Sequence, residues 1–274
     1  MHIALQQHSI LITYITMSDL LQSYQSPSHY LAYRWDRHHT ILILHGRWGS
    51  ASSRKQVWEW LAQQWYSVII PDLPGFGTAP LNQIFTIDDY AHWVQDFLQD
   101  ISQHHTLWTL TIFGHSNGWR IVTYALTHHI VSCDTLILNN AAGIVPKPQY
   151  TIKKVLLWLW KKIYHLVPWL YKLRNLLYRS IGWHDYLEAE KNPLVKQTFL
   201  NMLATTYSDE VYKSISLPTL VLRWERDSYT PLRMGQKIAS LIPNNTFVIC
   251  RWQKHGIHLI DPERVVREVN QFLR

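Results

Sequence analysis

Gly114-His115-Ser116-Asn117-Gly118 follows the apolar run Leu107 to Phe113 and leads directly into Trp119 to His129. A strand, a serine between two glycines and a helix in immediate succession put a hydroxyl on a sharp turn, where it can act as a nucleophile. Glycine at both flanks lets the backbone turn tightly without a Cβ clash, and the helix N-terminus behind the serine offers N–H groups to a developing oxyanion. The five letters alone fit an ordinary structural turn equally well. Their surroundings decide.

Upstream, Thr40 to Leu44 is a continuous apolar run, as expected of a strand covered on both faces, and it ends in His45-Gly46-Arg47-Trp48-Gly49. Ser50 to Gln64 reads as a helix and Ser67 to Ile70 as the next buried strand, followed by the turn-rich Pro71 to Gly77. Thr86-Ile87-Asp88-Asp89 is a helix start before Tyr90 to Ile101. Nearer the N-terminus, Ser9 to Thr16 and His29 to Tyr33 read as short strands joined by a polar Gln/Ser-rich loop. Downstream come strands at Asp134 to Asn139, Leu217 to Arg223 and Thr246 to Cys250, a helix opened by Thr230 as cap with Pro231 at its first position, and a closing helix from Pro262 to Leu273. Strands alternating with helices predict a mainly parallel sheet, with ligands bound beyond the carboxyl ends of the strands. His45, Ser116 and Asn140 all fall at that edge. Some 65 helical, basic and aromatic residues interrupt the pattern after Ile144, most simply as a cap over the active face.

A nucleophilic serine needs a base to take its proton and an acid to orient the base. Asp227 and His255 each follow one of the last two strands at the same edge as Ser116, in the order Ser, Asp, His. Backbone N–H groups of Asn117, beside the serine, and of Arg47, after His45-Gly46, are expected to form the oxyanion hole. Glu225 is the competing acid. No metal or cofactor is expected.

Composition bounds the rest. The chain has 274 residues, 47% hydrophobic and 16% charged, which suits one α/β domain with an insertion and excludes a disordered chain. The net charge of +7 is local: Thr135 to His184 holds no acidic residue but eight lysines and arginines, so the remainder is close to neutral. No nucleic-acid motif accompanies that charge, and nucleic acid is not an expected partner. The segment 147–179 reads as the solvated outer face of a lid, with peripheral membrane contact or recruitment of an anionic substrate as competing readings. No secretory signal is visible, no apolar run reaches the ~18 residues of a membrane span, and the two cysteines are too few for a disulfide framework. The expected setting is cytoplasmic.

With these motifs in place, HGRWGS (45–50), VIIPDLPGFG (68–77), FGHSNG (113–118), LPTLVLRWERDSYTP (217–231) and HGIHLIDPER (255–264), the chain resembles an α/β-hydrolase with a helical cap between its sixth and seventh strands. The resemblance implies a mostly parallel eight-stranded sheet flanked by helices. Its core would be 1–143 with 211–274, and the cap 144–210. It further implies Ser116 as nucleophile, His255 as general base and then acid, Asp227 as orienting acid, and a small-molecule acyl substrate whose acyl-enzyme is resolved by water. Hydrolysis of an ester, thioester, amide or carbon–carbon bond is the expected reaction; acyl transfer to another acceptor and a non-catalytic binding protein are the alternatives. His255 precedes Asp261 and Pro262 at the family's usual spacing. His115, His258 and Asp72 match family positions that pack or brace rather than react.

Trp48, Trp65, Trp119, Trp224 and Trp252 stand where members of that family usually have glycine. Trp65 follows a helix at the usual place of a left-handed C-cap, where a bulky residue is strained. About 19 glycines are expected at average usage, whereas the chain has 10, with 14 tryptophans. Two explanations are open at this stage: glycine codons read as tryptophan, or true tryptophans with compensating changes.

Overall fold

The computed structural model describes residues 21–24, 29–33, 37–46, 49–53, 55–140, 187, 189–227, 230–251 and 261–274. The expected strand Ser9 to Thr16, Arg47, His255, His258 and the basic segment 147–179 lie outside them.

Among the described residues eight strands form one sheet: β1 (Leu21–Tyr24), β2 (Tyr30–Tyr33), β3 (His39–Leu44), β4 (Ser67–Pro71), β5 (Thr109–His115), β6 (Thr135–Asn139), β7 (Thr219–Trp224) and β8 (Asn245–Cys250), in the order β1-β2-β4-β3-β5-β6-β7-β8. The pairs from β4 through β8 are parallel, while β1–β2 and β2–β4 are antiparallel. The sheet is therefore mostly parallel and eight-stranded, as the resemblance implied. Residues 21–24 correct the sequence reading, which left them in a polar loop. LQSY lacks an apolar alternation, and it is held by its antiparallel ladder to β2, from Leu21 opposite Tyr33 to Tyr24 opposite Tyr30. Backbone pairing at a sheet edge leaves little trace in side-chain pattern.

Strand alternation sends successive apolar residues into two cores. Leu42, Leu44, Ile112, Leu136 and Leu138 join one face, with helices α2 (Ile87–His104) and α3 (Asn117–Thr127) over them. Ile41, Ile43, Phe113, Ile137 and Leu222 join the other, under α1 (Lys55–Gln63) and the closing helix Pro262–Leu273. These strands are buried on both faces, which is why they read as continuous apolar runs. Between β6 and β7 the described residues include α4 (Pro193–Ala204) and α5 (Asp209–Lys213). The chain then continues through α6 (Leu232–Leu241) and α7 (Pro262–Leu273).

Local chemistry fixes the helix starts. Thr86 accepts the Asp89 amide and Asp89 returns a bond to the Thr86 amide, a reciprocal cap on α2. Asp261 accepts from the Arg264 amide ahead of Pro262. The α6 start differs from expectation: Pro231 is the cap residue, and the Thr230 side chain turns to Asp227 instead. Among the described residues no helix is long and apolar enough to cross a membrane.

Candidate active site

Ser116 sits between β5 and α3 at φ 52, ψ −106, a conformation that costs an L-residue of order 1–3 kcal/mol. Its amide donates to the Asn139 carbonyl at 3.0 Å, which ties the turn to the adjacent strand. The flanking glycines avoid a Cβ clash, as read in the sequence. The positive φ falls on the serine, while the glycines permit close approach. A Cβ on Gly118 would stand 2.0 Å from the Leu44 carbonyl oxygen, and one on Gly114 would stand 2.7 Å from the Trp119 Cα. Helix α3 thus meets the sheet backbone to backbone.

The end of β3 reaches the same point. A Cβ on Gly46 would lie 2.9 Å from the Ser116 Cβ. His45 holds this loop: Nδ1 pairs with the Gly46 carbonyl at 2.8 Å, and Nε2 accepts the Leu73 amide at 3.1 Å. The two partners together assign the neutral tautomer with its proton on Nδ1. Asn117, at the start of α3, is buried, and its side-chain oxygen accepts from Arg120 Nη1 at 2.6 Å.

Asp227 follows β7 and is 4% exposed, whereas Glu225, the competing acid, is exposed. The Thr230 amide donates to Asp227 Oδ1 at 3.0 Å and the Thr230 hydroxyl to Oδ2. Behind them lies a residue the sequence reading passed over. Arg223, fully buried near the end of β7, donates from Nη2 to the carbonyls of Thr230 at 2.6 Å and Pro231 at 3.1 Å. Burial pushes its guanidinium down to about 10 against the opposing pull of Asp227. Gly235 on α6 makes room for it, since a Cβ there would meet Arg223 at 2.3 Å. A lone arginine within the apolar run LVLRW was the available signal.

Asp72 is a brace. Its carboxylate accepts from the Ala51 amide at 2.6 Å, the Thr78 amide at 2.9 Å and the Thr78 hydroxyl at 3.0 Å, and pairs with His29 Nδ1 at 2.8 Å. Burial raises its pKa, but these bonds outweigh burial and hold the carboxyl below its usual range. His115 is buried as the last residue of β5 and pairs in register with Asn139. Cys133 and Cys250 are free thiols. An apolar crevice lies between the 74–81 loop, α2 and α4, with Phe76, Tyr90, Val195 and Phe199 in its walls. Phe76 also packs on the His45 ring at 5.5 Å, linking the crevice wall to the loop beside Ser116.

The edge therefore gathers Ser116, Asn117, Gly46 and, two strands away, the Asp227 turn. Among the described residues no group of three or more His, Cys, Asp or Glu side chains is arranged to hold a metal ion.

Strand order, the strand–serine–helix turn and helices on both sheet faces define an α/β-hydrolase. The sequence profile of the serine aminopeptidase S33 family matches residues 36–263, and the chain belongs to this family of hydrolases. It is 22% identical over 253 residues to the uncharacterised hydrolase YugF of Bacillus subtilis (strain 168), covering 86% of this chain and 90% of that one. It is 23% identical over 245 residues to the 2-hydroxy-6-oxo-6-(2'-aminophenyl)hexa-2,4-dienoic acid hydrolase of Metapseudomonas resinovorans, covering 85% and 83%. The fold is similar to that of a bromoperoxidase from Bacillus anthracis, with a TM-score of 0.68 at 17% identity over 92% of this chain and 99% of that one.

Proposed function

We propose that the chain is a serine hydrolase that cleaves an ester, thioester, amide or carbon–carbon bond of a small-molecule acyl substrate through an acyl-enzyme. The observation that carries this reading is the Ser116 backbone, held at φ 52 where β5 turns into α3. In this mechanism the Ser116 Oγ attacks the substrate carbonyl as its proton passes to His255. The tetrahedral oxyanion is met by the backbone N–H groups of Asn117 and Arg47. Collapse expels the leaving group, which takes the proton from His255. Water then attacks the acyl-enzyme, giving its proton to His255. The second collapse frees the carboxylic acid and returns the proton to Ser116. Asp227 keeps His255 in the orientation this shuttle needs, and the Thr230 and Arg223 bonds hold Asp227 in turn.

Residues 144–210 act as the cap in this reading, over a core of 1–143 and 211–274. The docking of α4 supports it: the Phe85 amide donates to the Thr198 hydroxyl at 2.9 Å, and the Asn201 amide group donates to the Phe85 carbonyl at 3.1 Å. The apolar crevice beneath α4 supports an apolar acyl group.

A fluorophosphonate probe tests the nucleophile. Labelling of the wild type but not of Ser116→Ala is expected; equal labelling of both, or none of the wild type, counts against the proposal. A chain-length series of p-nitrophenyl esters then reports the acyl preference. Because one relative is named as a hydrolase of a hexadienoic acid, such an acid belongs in the same panel.

A further inference from the structure

We infer that residues 65, 119 and 224 are glycines in the protein as its own organism makes it, and that the tryptophans written there come from UGA codons translated by the wrong code. The first observation is a backbone. Four non-glycine residues among those described have positive φ: Trp65 at 76, Ser116 at 52, His129 at 56 and Asn140 at 52. Asparagine and histidine enter this region more readily than other side chains, and Ser116 is the candidate nucleophile. Trp65 has neither justification. It lies two residues past the end of α1, with its amide bonded to the Ala62 carbonyl at 3.3 Å, in the left-handed position that closes a helix. Gly75 and Gly77, at φ 84 and 56, show the residue this backbone takes elsewhere in the chain.

The second observation is independent of the first and concerns hydrogen bonds. The indoles of Trp119 and Trp224 are fully buried, and among the described residues neither ring N–H has a hydrogen-bond partner. A buried tryptophan normally satisfies that donor. Trp58 does so in this same chain: it is 2% exposed, its indole donates to the Ser53 carbonyl at 3.2 Å, and its ring packs edge-on against Phe113. Trp119 also begins where helix and sheet are in backbone contact, its Cα only 2.7 Å from where a Gly114 Cβ would be.

One cause accounts for both observations. UGA is a stop codon in the standard code, tryptophan in some variant codes and glycine in others. A gene from a lineage of the last kind, translated as one of the second, acquires tryptophan wherever UGA-encoded glycine stood. Glycine at 65 removes the strain, and glycine at 119 and 224 removes both unsatisfied donors.

The coding DNA tests this directly, and the residue mass in peptides of the native protein tests it again. UGA at 65, 119 and 224, with UGG at Trp58, is the expected result, together with a glycine mass at position 65 in protein purified from the source organism. UGG at the three positions, or a tryptophan mass at 65, overturns the inference. Neither readout depends on catalysis, so this inference and the proposed hydrolase stand or fall separately.

Discussion

Arg223 and Thr230 are joined by a 2.6 Å hydrogen bond from the buried guanidinium to the threonine carbonyl, and the same threonine gives its amide and hydroxyl to Asp227. The position of the Asp227 carboxylate is thus fixed from inside the protein, through Thr230. Replacing Arg223 with methionine keeps most of the volume but strands the Thr230 carbonyl, whereas the Pro231 carbonyl retains the Met234 amide at 2.8 Å. A lost stability of about 1–3 kcal/mol is expected, as for one buried group left unsatisfied. Esterase assays should show kcat falling more than KM rises, because the role proposed for Asp227 is to orient the base without holding substrate. An unchanged kcat in a folded variant would remove Arg223 from the site.

Gly235→Ala reaches the same turn from the other side. The new Cβ would stand 2.3 Å from the Arg223 Cγ and Nε. Overpacking of this kind costs about 1–3 kcal/mol, against the helix-propensity gain of about 1 kcal/mol that alanine brings elsewhere. Chemical denaturation should therefore show a net loss of stability.

Ser116→Gly separates strain from chemistry. Relief of the positive φ gains of order 1–3 kcal/mol, and glycine's extra unfolded-state freedom takes back about 0.5–1 kcal/mol. The net gain is about 0–2.5 kcal/mol, so the variant should label with no fluorophosphonate yet melt no lower than the wild type and up to about 10 °C higher, since 1 kcal/mol is worth roughly 2–4 °C at this size. A lower melting point means that the serine hydroxyl contributes more than its backbone costs.

Asp72 gives a pH dependence. Its folded pKa is depressed below the ordinary 3.8, so its bonds stabilise the fold above that value and are lost as pH falls through the folded pKa. Asp72→Asn should melt lower than the wild type at neutral pH, and the gap should close in strong acid. A constant gap across the acid range would show that the carboxylate's charge is not what braces the 74–78 loop.

Trp65→Gly sets two opposed effects against each other. The left-handed backbone costs a bulky residue about 1–2 kcal/mol, while the Arg37 guanidinium, 4.0 Å from the centre of the Trp65 ring, gives back about 0.5–1 kcal/mol at an exposed site. Glycine's unfolded-state freedom takes back a further ~0.5–1 kcal/mol, so the terms nearly cancel and calorimetry is expected to find a melting temperature within about 4 °C of the wild type.

Legibility in the sequence followed burial. Strands such as Thr40 to Leu44 are covered on both faces, and their apolar runs marked them. Ser116 and Asp227 were readable because each lies directly past such a run. Leu21–Tyr24 was missed because an edge strand is held by backbone pairing. Thr230 was read as a helix cap because the letters Thr-Pro suit one; that its hydroxyl serves Asp227 depends on Arg223 fixing the neighbouring carbonyls, a three-dimensional contact with no local pattern. The glycines around Ser116 were read as sparing a Cβ clash, but which backbone they approach was not legible, since contact distances across the sheet are invisible along the chain.

The strand order has a consequence for the nascent chain. The Ser116 turn is built on β3, β5 and β6, all complete by residue 139, whereas β7 and β8 dock at the far edge, with β8 paired to β7 alone. A ribosome therefore releases a chain whose serine elbow can form long before its proposed acid and base arrive. Under the proposed mechanism, hydrolytic competence is the last property such a molecule acquires, after the β6–β7 and β7–β8 ladders have both formed.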